Sequence, residues 1–118
     1  QMYQNKNEEA LQSFLTILQK HKGESIEDET LLKIADIYYQ KKDYLKALSY
    51  YQNILDNHKE GIYIDEALFF SAEIYRKHLL DNEKAKPLYE KMFLEHPDSL
   101  YYTESRKQYR TLRGDTTI

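Results

Sequence analysis

Apolar residues recur at spacings of three and four along nearly the whole chain, and nowhere do they alternate with polar ones at the period of two that a half-buried strand needs. The pattern predicts six helices. The first runs from about Glu8 to His21, with Asn7 as its N-cap and Ala10, Leu11, Phe14, Leu15, Ile17 and Leu18 at helical spacing. The second, about Asp28 to Lys41, carries Leu31, Leu32, Ile34, Ala35, Ile37 and Tyr38. Asp43 reads as the N-cap of a third helix that reaches Asn57 through Leu45, Ala47, Leu48, Tyr51, Ile54 and Leu55. A fourth spans about Tyr63 to Leu79. Asp81 caps a fifth that ends before His96-Pro97, and Asp98 or Ser99 opens a sixth that Gly114 stops. Gly23 closes the first helix and Gly61 separates the third from the fourth. Pro87 lies past the first turn of the fifth helix, so it should remove one backbone bond and bend a helix that nevertheless continues. Residues 115–118 are expected to fray.

The same residue types return at a fixed interval. Ala-x-x-x-aromatic occurs at Ala10/Phe14, Ala47/Tyr51 and Ala85/Tyr89, spaced 37 and then 38 residues apart. Ile17, Ile54 and Met92 share a register, as do Leu18, Leu55 and Phe93, and even His21, His58 and His96. A closed bundle does not require one residue type every 37 positions, whereas a stack of helical hairpins does, because each unit buries its apolar face against the next. The chain therefore reads as all-α, an antiparallel array of helical hairpins stacked as a solenoid. Alanines suit the helix crossings, since a larger side chain would push apart axes that pack at about 8–10 Å.

Composition narrows the reading without changing it. The 118 residues suit one domain, and folding should bury roughly two-thirds of the unfolded surface. There is no cysteine, hence no disulfide framework, thiolate site or cysteine nucleophile. The net charge of −3 has the wrong sign for a nucleic-acid binder. No apolar run approaches the ~20 residues that span a bilayer, and no charged-then-apolar leader opens the chain. The start Gln1-Met2-Tyr3 reads as a piece of something longer, with Met2 as an initiator after a tag remnant the other option. Twelve tyrosines and no tryptophan suit half-buried helix seams, where an apolar ring meets a polar tip.

Leu31-x-x-Ile34-Ala35-x-x-Tyr38 followed by Ala47-x-x-x-Tyr51 resembles a tetratricopeptide repeat. A second copy reads Leu68-x-x-Ser71-Ala72-x-x-Tyr75, then Ala85-x-x-x-Tyr89 and Pro97. Leu stands for the family's Trp, Ala for Gly and Tyr for Phe; Ser71 is the weaker departure. The resemblance covers residues 8–113 and implies a right-handed solenoid. In it, 8–21 is the second helix of a truncated repeat, 28–57 and 63–96 are repeats, and 98–113 is a C-terminal capping helix. On the cap, Tyr102, Ser105, Tyr109 and Leu112 should pack, while Arg106, Lys107, Arg110 and Arg113 face water. The period, longer than the usual 34, is similar to that of bacterial cell-envelope members, which favours the periplasm or envelope over the cytoplasm.

The resemblance also implies a role. In such arrays the first helix of each pair lines a concave channel for extended peptides, which here would present Glu29, Leu32, Asp36 and Tyr39, then Glu66, Phe69, Glu73 and Arg76. These residues mostly oppose the Lys, Asn and Arg with which some members grip a C-terminal carboxylate, so that activity does not transfer. The expected ligand is a protein or extended peptide mixing basic residues with apolar anchors. Arg76 is the exception, placed to pair with Glu73. The competing role is purely structural, with self-association through a first helix expected to leave Leu11 and Leu15 exposed.

Other chemistry is weaker. His21, His58 and His96 repeat too far apart to share a zinc ion, and as helix-ending residues they complement the macrodipole. No phosphate loop, His-Glu-x-x-His or nucleophile elbow is present. Asp36, Glu66 and Glu73 could cluster for acid–base work, but carboxylates on a solvated helix face are commoner. The stripe Arg106, Lys107, Arg110 and Arg113 could meet phosphate or anionic lipid; it ends a helix, and reads instead as a solvated cap. The chain is thus expected to be a non-catalytic interaction scaffold without cofactor, metal, nucleic-acid partner or membrane insertion.

Overall fold

The structure, a computed structural model, describes residues 2–20, 26–57 and 63–114, with side chains described for 7–20, 29–56 and 63–114. The expectations placed on His21, Gly23, His58, Gly61 and residues 115–118 lie outside the described residues. Six α-helices follow in order: α1 (Met2–Lys20), α2 (Ile26–Gln40), α3 (Tyr44–Asn57), α4 (Ile64–Glu73), α5 (Asn82–Glu95) and α6 (Tyr102–Arg113). A π-helical turn, Ile74–His78, continues α4. Packing divides the chain into two compact units, Gln1–Tyr63 and Ile64–Ile118. Within each, helices pack on their sequence neighbours: α1 on α2 and α2 on α3, then α4 on α5 and α5 on α6. This neighbour-by-neighbour packing is that of an all-α helical repeat.

Burial follows the repeated register. Ala47 and Ala85 are fully buried, as are Tyr51, Tyr89, Ile54 and Met92. In the first unit Leu31, Ile34, Ala35 and Tyr38 occupy one α2 stripe and are all buried, the i, i+3, i+4, i+7 face of an amphipathic helix. In the second, Phe69, Ala72, Ala85 and Tyr89 form a core against which Phe70, Tyr75, Leu88, Tyr101, Tyr109 and Leu112 pack. Phe69 stacks on Tyr101 with centroids 4.5 Å apart. On α6, Ser105 is fully buried, Tyr109 and Leu112 meet the core with Tyr101 where Tyr102 was expected, and Arg106, Lys107, Arg110 and Arg113 are exposed; Tyr102 instead lies beside those cations.

The caps are made as the sequence suggests at three places. The Lys46 amide donates to Asp43 Oδ1 (3.3 Å) and the Lys84 amide to Asp81 Oδ1 (3.2 Å). Gly114 ends α6 in the left-handed region, at φ 93°. Other boundaries differ. Helix α1 extends back to Met2, so Asn7 lies inside it and is not its cap. Helix α6 opens only at Tyr102; neither Asp98 nor Ser99 caps it. Ser99 is spent on a turn, its hydroxyl donating to Asp65 Oδ2 (2.8 Å) and accepting from the Tyr101 amide (3.1 Å). Helix α5 continues through Pro87. Leu11 is not exposed as expected but 4% accessible, and Leu15 is half-buried; the packing of α1 on α2 already covers that face.

The fourth helix was expected to run unbroken to Leu79, and the π turn is the difference. From Leu31–Tyr38 to Leu68–Tyr75 the repeat period is 37, but from Asp43 to Asp81 it is 38, so one extra residue enters between Tyr75 and Asp81. In the first unit α2 closes with the Asp43 amide bonded to the Tyr38 carbonyl and the Lys42 amide to Tyr39, with Lys42 at φ 66°. That is a Schellman closure with a non-glycine residue in the left-handed position. Leu80, at φ 54°, repeats it, but the Asp81 amide now reaches Tyr75 across one more residue and Leu79 bonds back to Ile74. The insertion is absorbed as a single wide turn, as π-bulges are.

Candidate functional site

Positions 29, 32, 36 and 39 share one face of α2 by helical spacing, and 66, 69, 73 and 76 share the matching face of α4 and its π turn. The first set belongs to the first unit and the second to the second unit. On α2, Glu29 is exposed, Asp36 and Tyr39 are half-buried, and Leu32 is buried. On α4, Glu66 is half-buried while Phe69 and Glu73 are buried. Arg76 follows in the π turn, half-buried. Leu32 and Phe69 therefore serve their own cores, and Tyr39 packs edge-on against Tyr44 at 5.6 Å.

One carboxylate on each helix is drawn into the same device. The Tyr51 hydroxyl of α3 donates to Asp36 Oδ1 (2.5 Å). The Tyr89 hydroxyl of α5 donates to Glu73 Oε2. Each tyrosine is the aromatic of an Ala-x-x-x-Tyr pair, and each acid sits one residue after the small residue at the helix crossing. Sequence reasoning foresaw the burial of these rings but not what their hydroxyls bond. The signal was present: a phenol that is fully buried in a seam needs a polar partner, and an acid recurs in register on the facing helix.

Their electrostatics diverge. Burial pushes the Asp36 carboxyl above its ordinary value of 3.8, and neither the Tyr51 hydrogen bond nor the nearby Lys33 charge overcomes it. Burial also pushes Glu73 up, but hydrogen bonds from Tyr89, Lys77 and Arg76 together outweigh it and leave the group below its ordinary 4.5. Arg76 Nη2 and Lys77 Nζ lie 3.0 and 2.9 Å from Glu73. Arg76 Nε also donates to the Tyr89 hydroxyl (2.9 Å), so the pairing of Arg76 with Glu73 is as the sequence suggested. Burial, with the Glu73 charge adding to it, raises the Tyr89 phenol well above its usual range, although the Arg76 hydrogen bond opposes this. Tyr89 is a hydrogen-bonding strut and not a titrating group.

Among the described residues no three His, Asp or Glu side chains are placed to hold a metal ion. Asp36 lies in one unit, Glu66 and Glu73 in the other, and Glu73 is already saturated by two cations and a phenol. His96 follows the last residue of α5 and its amide bonds to the Met92 carbonyl. No helix among the described residues is long and apolar enough to cross a membrane.

The family model for the tetratricopeptide repeat matches residues 29–60, which contain most of α2 and all of α3. That stretch, about a quarter of the chain, is similar to a tetratricopeptide repeat. The buried Ala35 and Ala47 and the paired Leu31 and Tyr38 are thus the structural positions of that repeat. Tetratricopeptide repeats are in general scaffolds for protein–protein interaction. Comparison with curated proteins gives no match.

Proposed function

We propose that this protein is a non-catalytic interaction module that binds an extended peptide combining basic residues with apolar anchors. The observation that carries the reading is the tetratricopeptide match over α2 and α3, the helix pair whose first member bears Glu29, Asp36 and Tyr39. Tyr39 is the accessible aromatic of that face, suited to anchoring a ligand because interface energy concentrates on a few large groups. Glu29 and Asp36 would set on-rate and partner choice by repelling acidic segments. Glu66 has the same role on α4. Leu32, Phe69, Glu73 and Arg76 contribute by fixing their helices, since burial or internal pairing engages them.

A peptide array tests this. Peptides mixing Lys or Arg with apolar residues should bind in preference to acidic ones, Glu29→Lys should weaken them without lowering the melting midpoint, and Tyr39→Ala should weaken them while also losing the Tyr44 contact. A preference for acidic C-terminal peptides, undiminished by Glu29→Lys, would refute the assignment.

A further inference from the structure

On the solvent face of α6, Tyr102, Thr103, Arg106, Lys107 and Arg110 line a shallow cavity of about 180 Å³. Its three cations have no ion pair or hydrogen bond to any other described residue. The neighbouring carboxylate of Glu104 is taken by the Gln108 amide at 2.6 Å, and Arg113 lies over the Tyr109 ring at 5.3 Å. Elsewhere in the unit Arg76 and Lys77 pair with Glu73, and Lys86 with Glu83. Helix α6 leaves Arg106 and Arg110 at i, i+4, a like-charge spacing that destabilises a helix. The macrodipole accounts for only part of this. Its effect is confined to the last turn, which holds Arg110 and Arg113 but not Arg106 or Lys107.

We propose that this face is a docking site for an acidic segment of a partner protein, separate from the faces of α2 and α4 and opposite to them in charge preference. Two guanidinium forks and an ammonium are donors matched to carboxylates, and Thr103 and Tyr102 share the cavity lining with them. Arg106 and Arg110 are separated by about 6 Å along the helix axis. Alternate side chains of an extended strand lie roughly 6.6 Å apart, so an acidic residue at every second position keeps step with the row. The other anionic partners fit less well. A bilayer surface needs an apolar helix face to bury, and that face of α6 is committed to the core through Ser105, Tyr109 and Leu112. A long polyanion would also meet a chain whose net charge is −3.

The probe is a fluorescein-labelled peptide of alternating Glu and Thr about as long as α6, titrated with the whole chain at low salt and again at ~0.15 M. Anionic phosphatidylserine vesicles and polyuridylate serve as competitors. Binding should weaken about tenfold in Arg106→Gln/Arg110→Gln, weaken with salt, and be unchanged in Lys20→Gln/Lys91→Gln, which removes two exposed cations elsewhere. The double arginine variant should melt no lower than the parent, since a repulsive pair is gone. No binding at low salt, equal binding by the arginine variant, or displacement by vesicles or polyuridylate at lower concentration than by unlabelled peptide would overturn the proposal.

Discussion

Replacing Glu73 by Gln preserves side-chain volume and still offers the Tyr89 hydroxyl an acceptor, but it removes the charge that Arg76 and Lys77 hold. The Arg76 bond is charge-assisted and only 22% exposed, and its loss costs about 1.5–3 kcal/mol. Lys77 is 49% exposed and screened, so its share is at most ~1 kcal/mol. The expected loss is about 2–3 kcal/mol, or roughly 10–20 °C in melting midpoint for a unit of this size. Asp36→Asn is the matched control at the equivalent position. Asn keeps an acceptor for Tyr51, no cation is hydrogen-bonded there, and the desolvated charge disappears, so the variant should be unchanged or up to ~1 kcal/mol more stable. Of the two substitutions, one repeat apart, only Glu73→Gln should lower stability.

Acidification supplies a second, independent reading. Glu73 is held below its ordinary 4.5 in the folded chain, so its stabilisation is present above that value and lost as pH falls through the lower folded value. Asp36 is raised above 3.8, so its contribution is full below 3.8 and lost as pH rises through the higher folded value. Urea unfolding followed by circular dichroism at pH 7 and in steps below pH 4.5 measures both. The gap between the parent and Glu73→Gln should close on acidification. Equal costs for the two variants, or a Glu73→Gln gap that persists at the acid end, would refute the opposed roles of the two acids.

Ser71 and Ser105 are buried with hydroxyls that lack a hydrogen-bond partner; each Ser→Ala change should stabilise by about 1 kcal/mol, read as a higher urea midpoint. Ala47→Leu or Ala85→Leu should cost roughly 1–3 kcal/mol by overpacking a seam with no accessible surface, and unchanged melts for both would remove these alanines from the crossings. Deleting His78 should convert the wide turn to ordinary helix and leave helical content and the melting midpoint near the parent's. A collapse of both would show that the extra residue is required and not merely accommodated.

The register of small and aromatic residues made most of the fold legible, because burial depends on periodicity and periodicity is written directly in the chain. Asp43, Asp81 and Gly114 were readable because each does its capping through local backbone geometry. The start of α1 was not, since residues 2–7 have no apolar repeat and Asn7 looks like a cap to any local rule. Ser99 misled for a related reason: its hydroxyl was claimed by Asp65, thirty-four residues away in sequence. The expected site lining was legible only as a set of helix-face positions. Spacing places Leu32 and Phe69 on the face of Glu29 and Glu66, but it does not report that the neighbouring helix covers them.

The two acids show most clearly what register conveys and what it omits. Asp36 and Glu73 occupy one position, and Tyr51 and Tyr89 another, so the hydrogen bond recurs. What differs lies three and four residues on, where Tyr39 and Gln40 of the first repeat become Arg76 and Lys77 of the second. Helical spacing delivers those two cations onto the Glu73 carboxylate. The first copy has no cation there, and its acid is left with the cost of burial. The same substitution stiffens the wide turn, because Arg76 and Lys77 both belong to it and both tie it back to α4. An inserted residue that would otherwise loosen the end of a helix is thus anchored by the charges that accompany it. Glu73→Gln should therefore raise amide hydrogen exchange across residues 74–81 more than across α5. Uniform exchange through the whole unit would mean that the ion pairs stabilise the fold without holding the turn.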